Sequence, residues 1–295
     1  MRSKPSAIAS VIIFGLPALK TIIFCVVSCL LTEMLIQRLS GKKVTISDGS
    51  AFLTGLLLAF NMSASVPFWI PIAGSIFAIA ITKQVFGGLG GNIFNPALAA
   101  RAFLLLSWPR HMTEFAKPFQ IDAVTHATPL VMMKEGKATN IADMGLSYLD
   151  FFLGNRSGCL GEVCIVALLL GALYLLWKQY ISWHTPLSFI GTMGFLSWVF
   201  GYQGMFKGDF LFSIMSGGLI LGAFFMATDY VTSPLTKSGQ LVFGIGCGVL
   251  AFVIRRFGGY PEGVSYSILI MNAVTPLIDR YLKPKVYGVG KLLQS

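Results

Sequence analysis

Histidine and cysteine are the side chains best suited to metal binding or redox catalysis, and their spacing here predicts neither. The three histidines lie in separate segments, at His111, His126 and His184. No two cysteines have the two-residue spacing typical of zinc or redox sites; they are Cys25, Cys29, Cys159, Cys164 and Cys247. Motifs for nucleotide binding, serine hydrolysis and zinc proteolysis are also absent from the sequence. We therefore expect no metal centre, no disulfide framework and no soluble-enzyme active site.

Two amides stand out as ligand-binding candidates. Asn92 and Asn95 follow the glycine-rich stretch 87–91 and lie just before Pro96, at the predicted start of an apolar helix. Three-residue spacing would place both on one helix face. Buried amides need hydrogen-bond partners. They either bond the backbone groups left free around Pro96 or hold a polar planar ligand such as the edge of an isoalloxazine ring. The residues alone do not distinguish these two roles. The glycines themselves favour a turn and close packing over direct ligand contact.

A threonine in a polar stretch is a weaker candidate when judged by pattern alone. Thr128 lies within 122–130, between Ala127 and Pro129, and a residue before proline favours an extended backbone. Hydroxyl groups at such positions usually cap a helix or stabilise a turn. Periodicity therefore gives little support for a chemical role.

Composition identifies the elements that must position these residues. The chain has 295 residues, of which 55% are hydrophobic and only 12% charged, with a mean hydropathy of +0.75. Soluble domains are about a quarter charged, so this chain cannot hide its apolar residues in one aqueous core. The sequence predicts an all-α integral membrane protein with about ten transmembrane helices. We place the spans near 5–19, 20–37, 50–67, 68–85, 91–108, 161–181, 185–203, 210–228, 238–255 and 263–281.

The distribution of positive charge predicts the orientation. With the N-terminus inside, the inner short loops and tails carry twelve Lys and Arg residues, Lys83 among them, and the outer short loops carry four. The positive-inside rule then places both termini in the cytoplasm. The formal net charge of +10 does not indicate nucleic-acid binding, because no basic stripe interleaved with aromatic residues is present.

An internal repeat divides the chain. Residues 54–62 resemble 217–226, and each copy is followed by a further span and then Phe-Gly-Gly, at 86–88 and 257–259. Five spans separate equivalent positions, so the copies have opposite topology, and such inverted repeats place binding sites beside interrupted helices. We predict a first membrane repeat over 1–108, an outer functional loop over 109–160 and a second membrane repeat over 161–295.

Taken together, the motifs resemble those of a known family. The chain resembles the RnfD component of the Rnf ion-translocating ferredoxin–NAD oxidoreductase complex, and more distantly the NqrB component of the sodium-pumping NADH–quinone oxidoreductase. The resemblance rests on Ser47–Ala51, Phe86–Leu98, Ala127–Leu130, Phe225–Asp229 and Phe257–Gly263. It covers nearly the whole chain, although the family's first helix is normally longer than the one here.

The resemblance implies a flavoprotein. Family members carry FMN joined through its phosphate to a threonine in a Ser/Thr-Gly-Ala-Thr motif, and the matching threonine here is Thr128. The surrounding flavin motif comprises Asp122, Thr125, His126, Ala127 and Pro129, with His126 in place of the usual glycine. In the sodium-pumping relative an asparagine pair like Asn92 and Asn95 is associated with a second flavin, riboflavin.

The resemblance also implies partners and a location. The expected function is to relay electrons between ferredoxin and NAD, coupled to Na⁺ or H⁺ transport, as a component that is not catalytic alone. The implied partners are Rnf complex subunits A, B, C, E and G in a bacterial or archaeal cytoplasmic (inner) membrane. Ion coupling needs a charge change inside the membrane, where a carboxylate is costly without a partner. The candidates for the ion path are Glu33, Asp48, Asp229 and Asp279; the alternative for each is a helix cap or a structural ion pair.

Two other classes remain open from the residues. A transporter or channel without redox chemistry would suit inverted repeats and polar residues in the membrane. A scaffold that only holds partner subunits is the third class. The threonine motif is what favours the electron carrier over both.

Overall fold

A computed structural model describes residues 4–116, 125–126, 128–138, 141–201, 204–260 and 262–283. Within them the chain is predominantly helical, as expected from the sequence. The strands are two short antiparallel pairs, β1 (Phe115–Ala116) with β2 (Thr125–His126) and β3 (Phe200–Gly201) with β4 (Gly204–Met205). The core is therefore built from helices packed against helices.

The first half of the chain contains the following helices. They are α1 (Lys4–Phe14), α2 (Leu16–Leu39), α3 (Ser50–Phe60), α4 (Trp69–Ile76) with a π-helical continuation over Phe77–Gln84, α5 (Pro96–Ser107) and α6 (Pro109–Thr113). A 3₁₀ turn, Ile46–Asp48, precedes α3.

The second half, including the connecting loop, contains the remaining helices. They are α7 (Pro129–Lys134), α8 (Tyr148–Leu153), α9 (Ile165–Trp177), α10 (His184–Val199), α11 (Phe210–Met215), α12 (Leu219–Leu221) with a π-helical continuation over Gly222–Met226, α13 (Lys237–Phe257) and α14 (Val264–Tyr281). A 3₁₀ turn also spans Ala142–Met144.

Glycine and proline move several boundaries away from the predicted ones. The break between the first two helices falls at Gly15, whose φ of 67° ends α1, and not near residue 20. The fifth helix begins at Pro96 and not at 91, because Gly87, Gly88 and Gly90 have φ between 94° and 104° and form a turn. L-residues with side chains rarely adopt such angles, so the glycines serve the turn, as the sequence indicated.

The predicted span 210–228 is interrupted. Helix α11 ends at Met215, Gly217 takes a φ of 64°, and α12 restarts at Leu219 before widening into π-helix. The predicted span 68–85 also changes to π-helix in its second half, at Phe77–Gln84. Both irregular segments lie beside the polar residues described below, and π-helical turns are often found at functional sites.

Two described helices are long and apolar enough to cross a membrane on their own. They are Leu16–Leu39 and Lys237–Phe257, and Ser50–Phe60, Pro96–Ser107 and Ile165–Trp177 are shorter apolar helices. Long apolar side chains remain exposed along α2 and α13, including Leu31 and Leu35 on α2. Exposed apolar surface of this extent fits contact with lipid tails.

The halves of the chain meet through two helix pairs. Helix α2 packs on α3 and α4 in the first half, and α10 packs on α13 in the second. Between the halves, α1 packs against α9 and α5 packs against α14. Asn95 caps the start of α5 and Asn272 lies within α14, so this second pair brings polar residues of both halves together.

Gly55 permits the close packing of α2 and α3. A Cβ atom at this position would lie 2.8 Å from Val26 Cα and 2.9 Å from Cys25 O. These neighbours are backbone atoms, so one of the helices would have to move.

We therefore expect Gly55→Ala to destabilise the protein by about 1–3 kcal/mol, the usual cost of overpacking. The measurement is thermal unfolding of the purified protein in detergent. Gly191→Ala is the matched control, because Gly191 is also helical and a Cβ atom added there would have no neighbour within 4 Å. Equal unfolding temperatures for the two variants would contradict close packing at Gly55.

Candidate functional site

The two candidate amides line one cavity. This inner cavity, of about 190 Å³, is bounded by residues from both halves of the chain. Its polar lining includes Ser50, Lys83, Asn92, Asn95 and Asp229. Leu57, Phe224 and Phe225 are among its apolar walls. The structure thus places Asn92 and Asn95 at the wall of one cavity, together with charged groups that the sequence argument did not place there.

The amides do not share a helix face. Asn92 lies in the turn before α5, and its side-chain Nδ2 donates to Phe94 O at 3.1 Å. Asn95 is the N-cap of α5, and its Oδ1 accepts from the backbone N–H groups of Ala97 and Leu98. The prediction of two amides on one helix face is therefore wrong, because the glycine turn delays the start of the helix until Pro96. The alternative in which the amides bond local backbone is confirmed, and it leaves the cavity beside them open to a ligand.

A buried ion pair lies next to this cavity. Lys83 Nζ donates to Glu33 Oε1 at 2.7 Å and to Ser50 Oγ at 2.6 Å, and the side chains of Lys83 and Glu33 are 2% and 1% exposed. Gln37 and Gln84 donate to the same carboxylate oxygen. Glu33 Oε2 has no hydrogen-bond partner among the described residues. Lys83 is therefore a buried counterion and not the inner loop charge that the orientation count assumed.

Two of the other predicted ion-path acids have structural surroundings. Asp48 is exposed and accepts from Ser50 N and Ser50 Oγ, both at 2.7 Å, so it caps the start of α3. Asp279 accepts from Leu235 N at 3.1 Å and fixes the turn before α13. Both are explained as caps or structural contacts.

Asp229, the remaining predicted acid, reaches the inner cavity. It lies in the turn after the second π-helical segment and accepts from Thr232 Oγ1 at 3.3 Å. Burial raises the pKa of this carboxyl above its ordinary value, and hydrogen bonds from the Val231 backbone and Thr232 offset part of that effect. Asp229 and Lys83 thus line the same cavity, and Glu33 is the ion-pair partner of Lys83.

A second buried charge cluster surrounds Arg101 in the middle of α5. Its guanidinium donates to Asn61 Oδ1 at 2.6 Å, to Glu162 Oε1 at 3.3 Å and to Glu262 Oε2. It also lies 3.6 Å from Cys159 Sγ. A guanidinium inside a membrane protein is costly unless it is paired or faces an anionic group, and Arg101 here bonds two carboxylates.

The predicted flavin acceptor begins a short helix. Thr128 is the N-cap of α7, its Oγ1 accepts from Val131 N at 3.4 Å, and Pro129 is the first residue of that helix. The capping role expected from the sequence is therefore confirmed. Thr125 and His126 pair with Ala116 and Phe115 as β2 and β1. Asp122 and Ala127 lie outside the described residues.

An open cleft of about 600 Å³ lies beside α7. Leu130 and Met133 of that helix line it together with residues of α10, α11 and α13. Its wall includes the aromatic rings of Phe200, Phe212 and Phe252, and its charged residues are Lys207, Asp209, Arg255 and Arg256. Tyr148 Oη donates to Asp209 Oδ2 at 2.6 Å, which ties α8 to α11 and raises the pKa of Tyr148 to about 12. We call this the outer cleft.

Sequence reasoning missed most members of the two charge clusters. Lys83 was assigned to a loop, and neither Glu162 nor Cys159 was singled out. The available signal was a single charge inside an apolar run, as in 77–84 and 159–168. Such a charge needs a partner, but the partners are distant in the chain. Lys83 and Glu33 are 50 residues apart, and Arg101 and Glu162 are 61 residues apart.

The Lys83–Glu33 pair predicts a large stability effect. We expect Lys83→Met to destabilise the protein by about 3–5 kcal/mol, because it leaves a buried carboxylate without its counterion. Lys83→Met combined with Glu33→Gln should recover most of that loss. The control is Arg110→Ala, which breaks an exposed pair with Glu114 and should cost less than about 1 kcal/mol. Thermal unfolding in detergent distinguishes these cases, and similar losses for Lys83→Met and Arg110→Ala would refute a buried pair.

Comparison with known proteins places this arrangement in a family. A family model described as the NQR2, RnfD, RnfE family matches residues 3–288. The chain is 50% identical to the D component of the Na⁺-translocating ferredoxin:NAD⁺ oxidoreductase complex of Acetobacterium woodii, over 95% of this chain and 86% of that protein.

Two further relatives extend the comparison. The chain is 48% identical to the D component of the proton-translocating ferredoxin:NAD⁺ oxidoreductase complex of Clostridium ljungdahlii, over 97% of this chain and 89% of that protein. It is 36% identical to the D component of the ion-translocating oxidoreductase complex of Escherichia coli, over 97% and 92% respectively. The chain therefore belongs to the NQR2, RnfD, RnfE family.

Proposed function

We propose that this chain is the RnfD membrane component of an Rnf-type ion-translocating ferredoxin:NAD oxidoreductase complex. The observation that carries the proposal is the 50% identity to the D component of such a complex along nearly the full length of both chains. Its task is to relay electrons within the complex while ions cross the membrane. It acts together with subunits A, B, C, E and G, which supply the other redox centres and the reactions with ferredoxin and NAD.

The proposal includes a topology of ten spans in a 5+5 inverted repeat, with both termini in the cytoplasm of a bacterial or archaeal cell. One supporting observation is that α1 packs on α9 and α5 packs on α14. In each of these pairs, the two helices occupy the same position in the two predicted repeats. Interrupted or π-helical segments in both halves, Phe77–Gln84 and Gly222–Met226, fit the same plan. The outer functional loop of this plan is residues 109–160.

The outer cleft supports a covalent FMN on Thr128. The acceptor hydroxyl precedes Leu130 and Met133, which line the cleft. Its phenylalanine rings suit a planar heterocycle, and its basic residues suit a phosphate. FMN, joined by a phosphodiester, would supply one- and two-electron redox chemistry. The chain's own residues would position the group and keep it from diffusing away.

The inner cavity supports a second, non-covalent flavin, riboflavin. Asn92 and Asn95 offer amides at its wall, and Lys83 adds a buried positive charge. A neutral, planar ligand with polar edges matches this lining better than a purely apolar one. For ion coupling, Glu33 and Asp229 are the acids whose surroundings support a role, because both lie close to this cavity or to Lys83. Asp48 and Asp279 have structural roles instead.

The covalent attachment has a direct test. In Thr128→Ala, the peptide containing residue 128 should lose the added FMN mass, and in-gel flavin fluorescence after denaturing electrophoresis should disappear. Thr128→Ser should retain both, because serine keeps the hydroxyl and the helix cap. Thr113→Ala is a control, since Thr113 is an exposed threonine of α6.

The same experiment separates the alternatives. A bare Thr128 in the purified, assembled wild-type complex would exclude the covalent electron carrier. Solute flux by the reconstituted chain alone would then favour a transporter or channel without redox chemistry. Absence of both flavin and flux would leave the scaffold.

The inner cavity makes a second prediction. Asn92→Leu should reduce the acid-extractable, non-covalent flavin bound per complex and weaken its affinity about tenfold, the effect of one lost buried hydrogen bond. Covalent fluorescence from residue 128 should be unchanged. The matched control is Asn155→Leu, which alters an exposed asparagine bonded to Asp150. Equal flavin content in the two variants would contradict a ligand at Asn92.

A further inference from the structure

In the Arg101 cluster, two carboxylates contact one guanidinium group. The side chains of Glu162 and Glu262 are 2% and 14% exposed, and Arg101 contacts both. One oxygen of each carboxylate and the Cys159 sulfur lie within 4.8 Å of one another. Arg101 already occupies the cation position in this group, which disfavours a metal ion there.

The backbone explains how Glu162 reaches this position. The N–H groups of Leu160 and Gly161 donate to Met62 O and Phe60 O, at 2.8 and 2.9 Å, and satisfy carbonyls left free at the end of α3. Glu162 then points between Arg101 and Gly218, where a Cβ atom would lie 2.6 Å from Glu162 Oε1. The carboxylate is held by tight packing and is excluded from bulk water.

Other charged and titratable groups face the cluster from every neighbouring element. Arg156, from the same connection as Glu162, donates to Glu162 O at 2.8 Å and lies over the Phe151 ring. Arg255 of α13 donates to Ser213 O and Ser216 O. Tyr260 and Tyr266 stack on each other, and the charge of Arg101 acts on Tyr266. Cys159 completes the set. These arginines add positive potential, which favours ionised carboxylates, and Arg156 acts in this way on Glu162 and Glu262. Burial and the repulsion between the two carboxylates oppose this effect.

We propose that Glu162 and Glu262 share one exchangeable proton, so that the Arg101 cluster is a proton-binding site inside the protein. Two carboxylates this close in a water-poor environment repel each other, and a proton on one of them removes that repulsion. The single guanidinium that bonds both then neutralises the carboxylate that remains ionised. The proton is the only species bound or released, and no electron transfer is part of the step.

The location gives this site a role in charge compensation. Arg101 bonds Asn61, Asn61 Nδ2 lies 3.7 Å from Met226 Sδ, and Asn95 Nδ2 donates to Met226 O at 3.4 Å. The cluster is thus connected by polar contacts to the wall of the inner cavity. A change of charge in that cavity would alter proton occupancy at the pair, because fields are weakly screened in the interior. The proton site itself does not depend on whether a flavin is bound.

Infrared difference spectroscopy of the membrane complex tests the proposal. The wild-type complex, reconstituted in vesicles, should show a protonated-carboxyl C=O band at about pH 7, where a glutamate with the ordinary pKa of about 4.3 is ionised. The band should shift in D₂O, because the proton exchanges. It should be lost in Glu162→Gln, which removes one carboxyl, and in Glu262→Gln, which removes the repulsion that favours the proton.

Glu114→Gln is the control, because Glu114 is exposed and pairs with Arg110. This variant should keep the band, and thermal unfolding should show that all three variants are folded. A wild-type complex without the band overturns the proposal even if a variant does not fold. Retention of the band in either Glu162→Gln or Glu262→Gln also overturns it, since the proton would not be shared.

Discussion

The cost of placing charge in a medium that excludes water governs this structure. Arg101 is held by Asn61, Glu162 and Glu262, and Lys83 is held by Glu33 and Ser50. Each charged group would be several kcal/mol less favourable without its partners. Because those partners come from distant parts of the chain, each cluster fixes how several helices meet. The Lys83 cluster joins three segments of the first half, and the Arg101 cluster joins α5 to two segments of the second half.

The irregular backbone follows from the same constraint. Free carbonyls at the end of α3 are satisfied by the loop that carries Glu162, and the free N–H groups at the start of α5 are satisfied by Asn95. Non-helical backbone is tolerated inside a membrane protein where it is buried in protein or lines a cavity. The interruption at Gly217 meets this condition, because the next residue, Gly218, packs against Glu162 of the Arg101 cluster. The glycine turn before Asn92 is mostly exposed, with Gly88 buried and Leu89 at the wall of the inner cavity.

The inner cavity and the outer cleft are chemically different. The inner cavity combines amides, a buried lysine and an aspartate, whereas the outer cleft combines phenylalanine rings with basic residues and a neighbouring threonine helix cap. A chain of polar contacts through Asn61 and Met226 connects the Arg101 cluster to the inner cavity. The structure thus has two separate pockets of different chemistry and a buried charge group near one of them.

Local patterns were sufficient to predict the helical membrane character, the glycine turn at 87–91 and the capping role of Thr128. Hydropathy, the φ freedom of glycine and the restriction on a residue before proline all act over short stretches of chain. A single charge inside an apolar run, such as Arg101, also needs a partner, but the local pattern does not identify that partner. Packing between distant segments determined that Glu162 and Glu262 are those partners, that Lys83 is buried against Glu33, and that Asp48 is an exposed cap. The energy of a buried charge depends on which distant side chains surround it. A local sequence pattern carries no information about contacts formed across 50 or more residues, so only the tertiary structure identifies those side chains.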